Sequence, residues 1–246
     1  MIGRRSVIGI AVLCALVVSA FAAATANAEQ KAFLCSTSAT TKEFKDEHCL
    51  NKGSGAENVR GHESVTGTIN ITGTNAKTES STAAASTAKL AGTISGIETE
   101  VQCTTVGGSG ELTNAAASVT GNGTIEYTGC TVTKPAGRGC VVTGGAVTTK
   151  KLAATTVGQT AGNLKFSPFE GTQFAVIPIA SCLENSPPAN SYPVTGSLIG
   201  TVTGATTSTT VEGVKGQGTL KFGGQVAGLG GAITISKASS FPVVLT

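Results

Sequence analysis

The sequence predicts an all-β protein: a disulfide-stapled antiparallel β-sandwich, built either as one large sandwich or as two small ones. Three observations support this prediction. Short runs of alternating apolar and polar residues recur along the chain, and glycine interrupts them. No long stretch has the period of an amphipathic helix. Six cysteines follow a segment that has the pattern of an export signal.

The N-terminus has the pattern of a signal peptide over residues 1–28. The basic residues Arg4 and Arg5 precede a short apolar run, and an Ala-Asn-Ala triplet ends at Ala28. We expect cleavage after Ala28, which leaves 29–246 as a secreted β-rich region with no integral membrane span. The arginine pair leaves both general secretion and twin-arginine export open as routes.

The charge of the chain argues against a nucleic-acid partner. The sequence has 17 basic and 14 acidic residues, and loss of Arg4 and Arg5 lowers the net charge from +3 to about +1. Such a chain has no basic surface for nucleic acid or anionic lipid. It also has no tryptophan and only two tyrosines, so aromatic platforms for bases or sugar rings are scarce.

Each predicted strand is a short run in which apolar residues occupy alternate positions and so share one face. The clearest runs are 64–72, 96–103, 123–130, 194–202, 218–222 and 232–236. Glycine and proline clusters between them are typical of turns. Residues 174–180 are continuously apolar, which predicts a strand buried on both faces, and Pro178 places it at an edge or a bulge.

Two segments of the chain resemble each other. Residues 121–129 and 216–224 both fit G-x-G-T-[IL]-x-[YF]-x-G. One interpretation of the match is a pseudo-repeat whose halves divide near 155–165. Chance similarity in a chain rich in glycine and threonine explains the match equally well.

The mature chain has an even number of cysteines, which predicts three disulfides in an exported protein. They are Cys35, Cys49, Cys103, Cys130, Cys140 and Cys182. We expect a Cys35–Cys49 bond. Two arrangements stay open for the others: Cys103–Cys130 with Cys140–Cys182, or Cys130–Cys140 with Cys103–Cys182.

The stretch GCTVTKPAGRGC, residues 129–140, is predicted to form a β-hairpin. A hairpin centred on Ala136 places Cys140 opposite Val132 and Cys130 opposite Val142. The two cysteines are then diagonal neighbours, about 7–8 Å apart. A bond between them therefore requires a wider, bulged loop.

No metal, cofactor or catalytic residue is predicted. The cysteines form no C-x-x-C pair, and His48 and His62 lack the spacing of zinc ligands. Asp46 is the only aspartate, so a calcium loop cannot form and a catalytic triad has few candidate members. A Cys35–Cys49 bond could bring Asp46 and His48 toward Ser36 or Ser38, but a polar surface loop explains these residues better.

Paired carboxylates are the remaining candidates for catalysis. Glu98 and Glu100 share one strand face opposite Ile97 and Val101. Two carboxylates on one face are the minimum for glycoside hydrolysis. A solvated outer face is the simpler interpretation of this pattern.

The cysteine order and the hairpin pattern G-C-x-V-x-x-P-x-G-[KR]-G-C resemble a group of uncharacterised exported proteins of soil actinobacteria. The resemblance extends over most of the mature chain, from the F-L-C-S segment at residues 33–36 to Y-P-V-T-G-S-L-I-G-T-V-T-G-A-T at residues 192–206. It implies an extracellular β-rich fold, and no activity can be transferred from it.

Together these features predict a secreted, non-enzymatic protein of the cell surface or extracellular matrix, with a structural or adhesive role. Surface attachment would be non-covalent, because no L-P-x-T-G sorting motif occurs. Lys134 and Arg138 at the hairpin tip form the expected contact loop for a cell-envelope or matrix component. The alternatives are a soluble ligand-binding module with an apolar cleft near 174–180, and a secreted hydrolase.

Overall fold

The computed structural model describes residues 31–46, 49, 51–65, 67–74, 88–115, 118–157, 163–184, 186–203, 209–237 and 241–245. The predicted signal peptide and His48 lie outside these residues.

The described chain is built from β-strands and two single 3₁₀ turns, which confirms the all-β prediction. The first ten strands are β1 (Ala32–Ser36), β2 (Gly61–Ser64), β3 (Gly67–Thr74), β4 (Ala88–Ile94), β5 (Ile97–Cys103), β6 (Thr105–Asn114), β7 (Val119–Thr128), β8 (Thr131–Lys134), β9 (Val141–Val142) and β10 (Ala146–Thr148). The others are β11 (Leu152–Thr156), β12 (Asn163–Pro168), β13 (Gln173–Ala180), β14 (Asn190–Thr195), β15 (Leu198–Thr203), β16 (Thr209–Gly218), β17 (Lys221–Phe222), β18 (Gln225–Val226), β19 (Gly228–Lys237) and β20 (Phe241–Leu245).

Eight strands pair in a closed order, which we call the strand ring. The order is β3, β6, β7, β11, β12, β15, β16, β19 and back to β3, and every pair is antiparallel. Apolar side chains from six of these strands meet inside it. They include Ile69, Leu112, Ile125, Leu152, Leu164 and Ile235. Burial of this apolar surface is the main force that holds the ring together.

A second sheet extends from the ring. The N-terminal part of β19 pairs with β4, and the order continues through β5, β8, β9, β13, β14, β17 and β18. The apolar faces of both parts form one continuous buried cluster that includes Val101, Phe174 and the fully buried Phe222. The packing is sandwich-like, as predicted, and the shared core favours one large body over two small ones.

The chain ends are joined by β1, which pairs with β20 on one side and β2 on the other. The side chain of Asn114 ties β1 to the ring. Its Oδ1 accepts a hydrogen bond from the Ala32 N–H at 2.8 Å, and its Nδ2 donates to the Ala32 carbonyl at 2.9 Å. The amide thus bonds both backbone groups of Ala32, whose carbonyl also accepts a hydrogen bond from the Val65 N–H at 3.1 Å.

The prediction for residues 174–180 was wrong in one respect. In β13, Phe174, Ile177 and Ile179 are buried, whereas Val176 and Pro178 are only half-buried. The strand does have a register shift, but it lies between Gln173 and Ala175, whereas Pro178 pairs in regular register with Ser191. That shift buries both 174 and 175, and the rest of the strand alternates like a one-faced strand.

The two similar segments have different structures. Residues 121–129 lie almost wholly in β7, whereas 216–224 span the end of β16, a break and β17. The region 155–165 includes the end of β11 and the start of β12, which pair with each other. The pseudo-repeat stays a prediction.

Candidate functional site: the hairpin between two disulfides

The structure contains the first of the two disulfide arrangements left open by the sequence, together with Cys35–Cys49. Strand β5 pairs with β8 so that Gln102 lies opposite Thr131. One step further, the same register places Cys103 opposite Cys130, with their Cα atoms 4.0 Å apart. The bond therefore links the hairpin to β5.

Cys140, the second cysteine of the hairpin, forms its disulfide on the side of the hairpin opposite β5. Val141 pairs with Ala180 of β13, and the chain just beyond β13 brings Cys182 to Cys140. Within the hairpin Thr131 lies opposite Val141, which is the register predicted for a turn centred on Ala136. Because the two cysteines are diagonal in that register, each bonds to a neighbouring strand instead of to the other.

The predicted contact residues have different environments. The Lys134 ammonium pairs with a Glu98 carboxylate oxygen at 2.8 Å, and hydrogen bonding to Glu98 raises the pKa of Lys134. Arg138 is exposed, and its carbonyl accepts a hydrogen bond from the Leu183 N–H at 2.9 Å. Leu183 is 63% exposed, although its side chain is large and apolar. The hairpin tip thus presents a guanidinium and, on the adjoining segment, a leucine.

Glu100 lies on the same strand face as Glu98 but is buried, so the prediction of a solvated face was wrong for this residue. Its carboxylate accepts hydrogen bonds from Lys89 at 2.8 Å, Gln102 at 2.8 Å and Thr133 at 2.7 Å. Burial acts to raise the pKa of Glu100, but these donors together outweigh it and the pKa is lowered. The carboxylate joins β4, β5 and β8 beneath the hairpin.

The residues considered for a catalytic triad form structural contacts. The Ser36 and Ser38 hydroxyls lie 2.6 Å apart, and Ser38 donates to Glu63 at 3.3 Å. Asp46 accepts a hydrogen bond from the Asn51 N–H at 2.6 Å. These contacts hold the loop that the Cys35–Cys49 bond closes.

The imidazole of His62 stacks between two phenylalanines. The ring centroids of Phe33 and Phe44 each lie 4.7 Å from that of His62. Burial lowers the pKa of His62, because the charged form is less well solvated there. The imidazole is thus part of an aromatic stack that packs the N-terminal loop on β1 and β2.

The cavity next to residues 174–180 is small. It is lined by apolar side chains, among them Phe174, Ile177 and Leu90, and its volume is about 40 Å³. Sites for small ligands usually measure about 300–1,000 Å³. The space is a gap in core packing that would have to expand several-fold to admit a ligand.

Other site classes find no support in the part of the chain that the structure describes. No cluster of three or more histidine, cysteine, aspartate or glutamate side chains that could hold a metal ion occurs among those residues. Nor does any helix there have the length and apolar character needed to cross a membrane.

Comparison of the chain with family models, curated proteins and solved structures finds no match. Inference about function therefore starts from the molecule's own features.

Proposed function

We propose that the protein is a non-enzymatic structural or adhesive protein, exported to the cell surface or the extracellular matrix. In this proposal the hairpin tip contacts a component of the cell envelope or matrix, and attachment is non-covalent. The proposal includes cleavage of the signal peptide after Ala28.

Three disulfides support the location. They indicate an oxidising environment, because cytosolic thiols are kept reduced. Each bond closes a loop or ties a hairpin in a protein whose sheets are rich in glycine. Cross-links of this kind suit a protein that must keep its shape outside the cell.

The main support for the proposed contact is the way in which the hairpin tip is held. Two disulfides fix the hairpin on both sides, so its tip is held in place before it meets a partner. Arg138 is exposed there, and Leu183 is exposed on the segment bonded to it. Arginine is enriched at protein interfaces, and a guanidinium suits carboxylate or phosphate groups. An anionic envelope or matrix polymer is the partner chemistry that fits.

We expect the variant Arg138→Glu to lose at least 90% of the material that the wild-type protein captures by cross-linking in the native cell envelope. Reversal of one charge at a binding site replaces attraction with repulsion toward an anionic partner. Capture is measured by quantitative mass spectrometry of the cross-linked material.

The matched control is Lys165→Glu, which reverses an exposed charge on β12, away from the hairpin sequence. It should capture as much as the wild type. Equal losses in both variants, or no loss in either, would contradict the assignment of the contact to the hairpin tip.

A further inference from the structure

A polar groove lies on the outward face of the strand ring, on strands other than those of the hairpin. It is shallow and open to solvent, with a volume of about 400 Å³. The polar side chains that line it belong to Thr68, Ser109, Glu111, Asn122, Thr124 and Lys151.

Strand register places these groups in two rows. In the first row Glu111 of β6 lies between Thr68 of β3 and Asn122 of β7. In the second row Ser109 lies opposite Thr124. Adjacent strands lie about 4.8 Å apart, so the rows present hydrogen-bonding groups at regular intervals across the face.

Glycines shape the sheet between the rows. Gly110 and Gly123 lie opposite each other. A Cβ atom at Gly110 would lie 2.3 Å from the Asn122 carbonyl oxygen, and one at Gly123 would lie 2.5 Å from the Ser109 carbonyl oxygen. A side chain fits at neither position, so only glycine allows β6 and β7 to approach each other this closely.

An aromatic contact positions the cation at one end of the groove. The Lys151 ammonium lies 4.5 Å from the centroid of the Phe169 ring, a cation–π contact that favours this position of the ammonium. Phe169 is itself 49% exposed. The groove therefore has a charged donor with a defined position beside an accessible aromatic edge.

We propose that this groove binds a short segment of a neutral, hydroxyl-rich polysaccharide. Hydroxyl, amide, carboxylate and ammonium groups together supply both donors and acceptors, and sugar hydroxyls need both. The site is separate from the hairpin, so this proposal goes beyond the proposed function. Sugar binding through hydrogen bonds does not require a row of aromatic rings that stack on the sugar. The scarcity of aromatic residues in the sequence therefore disfavours only sugar binding by stacking.

A peptide ligand fits the groove less well. Each of β3, β6 and β7 is paired on both sides, so no free strand edge is available for an added strand. The side chains that line the groove are also polar, whereas peptide recognition generally requires pockets for apolar anchors.

The test is an NMR titration of the ¹⁵N-labelled mature chain with cellotetraose and, separately, with chitotetraose. We expect saturable shifts at the backbone amides of Ser109, Gly110, Gly123 and Thr124 with at least one probe. The double variant Glu111→Ala, Asn122→Ala should weaken binding at least tenfold, because it removes a carboxylate acceptor and an amide donor from neighbouring positions of the first row. Lys165→Ala, outside the groove, should bind like the wild type.

The proposal is overturned if neither sugar shifts these amides, or if the double variant binds as tightly as the wild type. It is also overturned if tetra-alanine shifts the same amides and the sugars do not. An unchanged thermal midpoint shows that a variant is folded. Thr124→Ala, which truncates one exposed hydroxyl, replaces the double variant if the latter unfolds, and it should weaken binding about threefold to tenfold.

Discussion

Replacement of both Cys140 and Cys182 by alanine is expected to lower the free energy of unfolding by about 4 kcal/mol, the largest single effect we predict. The bond joins residues 42 positions apart. A cross-link restricts the unfolded chain more as the loop that it closes becomes longer. The same reasoning gives about 3.5 kcal/mol for Cys103–Cys130, with a separation of 27, and about 3 kcal/mol for Cys35–Cys49, with a separation of 14.

Urea unfolding of the three paired alanine variants, followed by circular dichroism, measures these losses. The Cys35/Cys49 variant is the matched control, since it loses a bond in the N-terminal loop and leaves the hairpin anchored. We expect the Cys140/Cys182 variant to be the least stable of the three paired alanine variants. A Cys140/Cys182 variant as stable as the wild type would show that this bond does not cross-link the native protein.

The variant Glu100→Gln is expected to lower the free energy of unfolding by roughly 2 kcal/mol at pH 7, because the buried carboxylate loses its charge-assisted hydrogen bonds. This loss of free energy of unfolding is smaller than for a fully buried ion pair, because the Lys89 side chain is 39% exposed. Removal of the charge also leaves Lys89 without its carboxylate partner.

The effect should depend on pH. The pKa of Glu100 in the folded protein lies below its ordinary value, so the carboxylate stabilises the fold fully above that ordinary value. The stabilisation is lost as the pH falls through the folded-state pKa. The stability difference between the wild type and Glu100→Gln should therefore shrink progressively below about pH 4.5.

Glu98→Gln is the control on the same strand. The Glu98 side chain is 67% exposed and its ion pair with Lys134 is at the surface, so its loss should lower the free energy of unfolding far less than Glu100→Gln does. The role assigned to the Glu100 carboxylate would be contradicted if Glu98→Gln and Glu100→Gln lowered the free energy of unfolding equally. It would also be contradicted if the effect of Glu100→Gln did not change with pH.

Local features of the fold could be predicted from the sequence. Alternating patterns identify strands such as 96–103 and 123–130 because one face of each is buried. The register of the hairpin follows from its short loop, since Thr131 lies opposite Val141 as a centre at Ala136 requires. Disulfide geometry then disfavours a bond within the hairpin, although sequence alone could not choose between the two arrangements.

Features that depend on long-range pairing could not be predicted. Strand β19 pairs with β3, β4, β16 and β20, and no local signal indicates this closure of the strand ring. In the sequence, Glu100 cannot be distinguished from a glutamate on a solvated strand face. Only the folded structure brings Lys89 of β4 and Thr133 of β8 into contact with its carboxylate. Leu183 follows Cys182 in the sequence, but its exposure beside Arg138 depends on the disulfide.

The groove illustrates the same limit. Its residues come from three strands and one connection, and each of them alone looks like an ordinary polar position on a solvated face. Glycine spacing in 107–110 and 121–123 was the available signal, because glycine inside a strand often marks a bend or a close approach. Both glycine clusters lie within strands, the first in β6 and the second in β7.

The central claim is that this is an exported, disulfide-linked protein of the cell surface or matrix. The most direct test is fractionation of the native cells, followed by a non-reducing peptide map of the purified protein. We expect a chain that begins at Glu29, is found in the envelope or extracellular fraction, and has the bonds Cys35–Cys49, Cys103–Cys130 and Cys140–Cys182. An uncleaved chain with free thiols, found only in the cytosol, would contradict it.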